Sequence, residues 1–90
     1  MQNILVLTIQ TLIDSHKATF SHKVYCFLKS QMCEKEGGFN TFEGCYVKLD
    51  EIAHAVRMDK EMSYEHKRIY LACINTVTDK LLAHQHGIVA

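Results

Sequence analysis

Proline and tryptophan are absent from this chain of 90 residues. With no proline, no helix interior is broken by a ring that lacks a backbone N–H, which favours a mainly helical chain. Glycine is scarce. Gly37, Gly38 and Gly44 fall in one short stretch, and Gly87 stands near the C-terminus. No hydrophobic run is long. The N-terminal one covers about ten residues against the ~20 that a membrane-spanning helix needs, and no basic segment precedes it as in a secretory signal. Neither sign of charge dominates either half. Residues 1–45 hold Lys17, Lys23, Lys29 and Lys35 against Asp14, Glu34, Glu36 and Glu43. The rest of the chain is equally balanced, for a formal net charge of +0. That balance counts against strong non-specific nucleic-acid binding, which draws on an excess of cations, but it leaves room for a local basic patch.

The four cysteines, at 26, 33, 45 and 73, include no CxxC pair. This usage fits reduced thiols and an intracellular, cytoplasmic protein. Six histidines would turn the chain cationic as pH falls through the imidazole range near ~6.5. Hydrophobic residues make up 48% of the chain, enough for a core in one domain. A domain of this size buries only roughly 60–65% of its unfolded surface, and such chains often complete their cores by dimerising.

Apolar spacing predicts a helix over 3–16, with Leu5, Ile9, Leu12 and Ile13 on one face. Ile4, Val6 and Leu7 widen that face beyond an ordinary surface stripe. The β-branched run ILVLTI would also suit a strand, but the helical pattern continues through Leu12 and Ile13, and no hairpin turn follows. A second helix is expected over 17–32, with Phe20, Val24, Phe27, Leu28 and Met32 inward. Ser21 would cap it, either after a break at 19–21 or within one longer helix. Residues 33–45 read as a loop, with Gly37, Gly38, Gly44 and Asn40 suited to positive φ and with Phe39 and Phe42 as packing anchors. CYVKL (45–49) reads as a short strand.

A third helix follows over 50–58, with Ile52, Ala53, Val56 and Met58 inward and Asp50 and Glu51 near its positive end. DKEM (59–62) forms a turn. Ser63 caps a long last helix whose stripe is Ile69, Tyr70, Cys73, Ile74, Val77 and Leu81. Gly87 suits its C-terminal position, and Ile88–Val89 would add a short strand. Leu28, Ile52, Val56, Ile74, Val77 and Leu81 should share one core.

The segment VKLDEIAHAV, followed after a turn by a long helix ending in NTVTDKLLAHQHGIV, resembles the helix-turn-helix portion of winged-helix domains. The similarity covers residues 22–89 in element order. It implies a mainly α fold in one domain. A winged-helix-like core over 19–90 would carry an added N-terminal helix over 1–18 and at most a short two-stranded β element. The departures are Lys48 where the family usually has a Ser or Thr cap, a turn without glycine, and no length for a full wing. In the family the exposed start of the third helix enters the major groove. The resemblance therefore implies nucleic-acid-binding roles for Tyr64, His66, Lys67, Arg68, Leu71 and Asn75. Lys67 and Arg68 would meet phosphate or guanine, and Asn75 would read adenine. Glu65 lies in the same patch, and an ordinary solvated face explains it equally well. A wingless core of this kind often serves instead as a protein-interaction module.

Catalytic chemistry has little footing. No nucleophile elbow, phosphate loop or paired-carboxylate motif is present. His84-x-His86 with Cys73 or His66 is the one cluster with metal-ligand chemistry, but helical i and i+2 positions point apart and zinc-finger spacing is absent. Cys33 and Cys45 flank the loop and could be bridged under oxidation. The expectation is therefore a non-enzymatic, cofactor-free regulator with no metal and no membrane span. It would bind duplex DNA as a homodimer held together by Leu5, Ile9, Leu12 and Ile13; the rival placement of the first helix is a groove of its own subunit, between the second and last helices. The alternative function is a small inhibitor or adaptor that binds a protein partner.

Overall fold

The first helix, α1 (Ile4–Ser15), starts the computed structural model, which describes residues 4–34 and 41–89. A hydrogen-bonded turn follows, with Phe20 N–H donating to the His16 carbonyl at 2.8 Å. Ser21 then caps α2 (His22–Lys29), its hydroxyl accepting from Val24 N–H at 3.3 Å. The break at 19–21 is thus real. The chain leaves α2 through a π-helical turn over Ser30–Glu34. α3 runs over Phe42–Met58 and α4 over Tyr64–Val89. The four α-helices of the described residues pack into one unit, with the α3–α4 hairpin as its frame and α1 and α2 laid against α4.

Among the described residues there is no strand. CYVKL, expected as a strand, forms the second and third turns of α3. Periodicity explains the correction. Cys45, Leu49, Ile52, Ala53 and Val56 recur at helical spacing and are all buried, whereas Val47 is 52% exposed. A strand would have put Cys45, Val47 and Leu49 on one face. The helix begins at Thr41, whose side chain accepts from Gly44 N–H at 3.0 Å. Gly44 is helical, not a positive-φ loop residue. A Cβ there would lie 3.1 Å from the Thr41 hydroxyl, so glycine leaves room for the cap. Phe42 opens the helix and is partly buried against the core. Phe39 and Asn40 lie outside the described residues.

The turn between α3 and α4 closes without glycine. Asp59 Oδ1 accepts from Glu61 N–H at 2.8 Å and from Met62 N–H at 3.2 Å, an Asx turn. Ser63 then caps α4 through His66 N–H at 3.2 Å. Gly87, expected to end α4, lies within it, and Ile88–Val89 belong to the helix instead of a strand. A helical glycine weakens a last turn by only about 1 kcal/mol, too little to stop it.

The core joins every helix. Leu5, Ile9 and Ile13 of α1 meet Val24 and Leu28 of α2, Cys45, Leu49, Ile52 and Val56 of α3, and Tyr70, Ile74, Val77 and Leu81 of α4. Phe20 and Met32 are also buried. The six residues expected to share a core do so. The α4 stripe is narrower than expected: Ile69 is 42% exposed and Cys73 only partly buried, because the inward direction follows Tyr70, Ile74, Val77 and Leu81. Met58, expected inward, is exposed at the end of α3.

The face of α1 offered above to a second copy is covered by its own chain. Ile9 and Ile13 are fully enclosed, Leu5 is buried and Leu12 partly so. The excess of apolar residues is absorbed by α4 on one side and by α2 with its π turn on the other. Leu7 remains outside this core as an exposed residue. At the end of α1, Asp14 accepts from Tyr25 Oη at 2.7 Å and pairs with Lys29 Nζ at 2.6 Å, tying α1 to α2. These bonds hold the Asp14 carboxyl below its ordinary pKa and the Lys29 ammonium above its own, the hydrogen bond between the two being the main cause of each shift.

Candidate functional site

Five of the six residues to which the resemblance gives nucleic-acid-binding roles line one groove. Tyr64, Lys67, Arg68, Leu71 and Asn75 recur at i, i+3, i+4, i+7 and i+11 along one flank of α4, and Ala72 lies beside them. Arg57, from the last turn of α3, forms the opposite wall. The volume is about 600 Å³. Leu71, Ala72, the ring of Tyr64 and the carbon stems of Arg57 and Arg68 make its surface mainly apolar, with charge at the rim. Tyr64 is 78% exposed, so its ring is open to a partner.

His66, the sixth residue, is separated from this set. It lies on the other flank of α4, in a hollow of about 390 Å³ with Ser21, Lys23, Asp59, Glu61 and Ile69. The helix turns about 100° per residue, which puts His66 off the stripe that holds Tyr64, Lys67 and Arg68. That hollow mixes cations and carboxylates, so it selects no one charge of ligand. The charged residues that line the groove, Arg57, Lys67 and Arg68, all carry the same sign.

Two of these cations already have partners. Lys67 Nζ donates to the Arg57 carbonyl at 2.9 Å. This places an ammonium at the C-terminal end of α3, where free carbonyls and the helix dipole favour positive charge. Lys67 is therefore a structural clasp between α3 and α4 as well as a groove residue. Arg68 pairs with Glu65 across one helical turn at 3.1 Å, with both side chains well exposed. Such a pair is worth little and opens readily to a competing carboxylate. The Arg57 guanidinium has no side-chain partner among the described residues. Sequence reading missed Arg57. Its position in a separate helix carries no local signal, and only the packing of α3 on α4 brings it beside Lys67.

The other candidate chemistry does not assemble. Among the described residues no group of three or more His, Cys, Asp or Glu side chains is placed to hold a metal. His84 instead sets its ring 6.3 Å from that of Phe42. Cys45 is buried in the core, where desolvation raises its thiol pKa to about 11. The side chain of Cys33, its suggested partner, lies outside those described. Burial also raises the Cys73 thiol. Cys26 is exposed, with its sulfur 3.5 Å from His22 Nε2. No helix among the described residues is long and apolar enough to cross a membrane.

No known protein family, curated protein or solved structure matches this chain significantly. The geometry of the groove is accordingly the ground for a functional reading.

Proposed function

We propose that the chain is a protein-interaction module whose docking site is the groove between the end of α3 and the first half of α4. The observation that carries this reading is a concave surface, mainly apolar and rimmed by Arg57, Lys67 and Arg68. An apolar trough with a charged rim suits a segment of protein that inserts side chains between helices. Duplex DNA calls for the opposite design, a projecting surface with cations free to reach phosphates. Here the three cations rim an apolar trough instead of standing on a projecting surface. The net charge of +0 supplies no compensating field. The residues expected to build the strand elements of a winged helix are helical, which further weakens the case for wing contacts to DNA.

The test pairs two titrations. Random duplex DNA is titrated at rising salt, and a protein captured from source cells is titrated against wild type and Ala72→Glu. Ala72 is an exposed groove residue, so the variant keeps the core intact. The expected result is no duplex binding at low salt and a protein complex lost in Ala72→Glu. Duplex binding that falls steeply with salt, and that loses about one unit of salt slope per cation removed, would overturn the proposal in favour of a DNA regulator.

A further inference from the structure

We infer that the segment seated in this groove is acidic and amphipathic: a stretch of partner protein with Asp or Glu side chains on either side of an apolar anchor. The inference rests on the groove being the docking site and adds the chemistry of its occupant. The walls supply the two halves of the match. Leu71, Ala72 and the Tyr64 ring offer open apolar surface against which an aliphatic or aromatic side chain can bury itself. Arg57 and Arg68 stand on α3 and α4 respectively, so carboxylates flanking the anchor reach a guanidinium on either wall. A guanidinium offers forked donors that fit a carboxylate, and bonds of this kind are roughly twice as strong as neutral ones.

The acidic group already present shows the exchange. Glu65 sits on Arg68 at 3.1 Å on the open surface, and an incoming carboxylate would replace it while Arg57 gains a first side-chain partner. Lys67 keeps its bond to the α3 carbonyl and still has two N–H groups for the occupant. Asn75, further along the same stripe, adds an amide able to donate to and accept from a backbone group.

Charge also counts against two copies of this chain docking groove to groove. Docked groove to groove, two copies would set Arg57, Lys67 and Arg68 against their own counterparts, and like charges across an interface cost affinity. The hollow around His66, although apolar in part, lacks this selectivity because Lys23, Asp59 and Glu61 all line it.

The experiment is a peptide-display selection on the full immobilised chain, run in parallel on Arg57→Glu/Arg68→Glu and on Ala72→Glu. All three substitutions are at exposed positions, and unchanged melting verifies the fold. Wild type is expected to enrich net-negative peptides with spaced Leu, Phe or Met. The charge-reversed variant should enrich net-positive ones. A synthesised wild-type winner should bind the reversed variant at least roughly tenfold more weakly, the size of one lost charge-assisted contact. Neutral or basic winners that bind both proteins alike, but not Ala72→Glu, would overturn the acidic-segment inference and leave the docking reading standing. Winners that bind Ala72→Glu as well as wild type would place docking elsewhere and overturn both. Competition of the winners by duplex DNA would assign the groove to nucleic acid.

Discussion

Truncating Ile9 to alanine separates two accounts of α1. In this structure Ile9 is 0% exposed within a single chain. Ile→Ala removes three carbon groups, worth about 2.4 kcal/mol in transfer at ~0.8 kcal/mol each. The packed surroundings, with Ile13, Leu28 and Leu81 also at 0%, leave little slack to fill the space, so a cavity term adds to the loss. The expected cost is ~3–4 kcal/mol, within the range seen for large-to-small core changes. A chain of 90 residues has a total stability of roughly 5–13 kcal/mol, so the change removes a large share of it. With a urea m-value of roughly 1–1.5 kcal/mol per molar, the unfolding midpoint should drop by about 2–4 M. The assay is urea unfolding followed by far-UV circular dichroism at two protein concentrations a hundredfold apart. The structure predicts the same drop at both concentrations. A loss below about 1 kcal/mol, or one that appears only at the higher concentration, would mean that Ile9 packs against another chain and would refute the intrachain placement of α1.

Three further outcomes follow from the same packing. Val47→Ala should leave stability unchanged or raise it by a few tenths of a kcal/mol, since alanine is the better helix former at an exposed site; a loss above about 1 kcal/mol would point to a strand there. The Asp14–Lys29 pair should stabilise the fold in full between the carboxylate and amine ranges. Asp14, with a lowered folded pKa, loses its contribution as pH falls below ~4 and through that lowered value; Lys29, with a raised one, loses it as pH rises above ~10.4 and through its own. The stability difference between wild type and Asp14→Asn should therefore shrink at both extremes, and a difference constant with pH would contradict the pairing. Of the three cysteines with described side chains, Cys26 should react first with a thiol reagent in the native state, well before Cys45 and Cys73; equal rates would contradict the burial of the latter two.

The parts of the fold legible in sequence were those where apolar spacing and a capping residue agree. Ser21 and Ser63 mark real helix starts, and Leu28, Ile52, Val56, Ile74, Val77 and Leu81 do share one core. The start of α3 was hidden. Thr41 lies beside a glycine-rich stretch that reads as loop, and Tyr46–Val47 has strand-like composition. The spacing from Cys45 to Leu49, Ile52 and Val56 was the better guide, because burial in the shared core and packing on α4 outweigh local propensity. Tyr64, Lys67, Arg68, Leu71 and Asn75, which the winged-helix resemblance implied for nucleic-acid binding, lie on one flank of α4 and line one groove, as their helical spacing allows. The same periodicity, applied strictly, would have set His66 aside. Arg57 required the tertiary contact between α3 and α4. The covering of α1 was equally unreadable: a wide apolar face has the same pattern whether its own chain or a second copy fills it.

A photo-crosslinking amino acid at Ala72 tests the central claim most directly. The residue is exposed and lies within the groove, so a reactive side chain there touches whatever docks. Irradiated in source cells and resolved by mass spectrometry, it should yield adducts to an acidic stretch of a protein partner, and Arg57→Glu/Arg68→Glu should abolish them. Adducts to nucleic acid, or protein adducts that persist unchanged in the charge-reversed chain, would contradict the account.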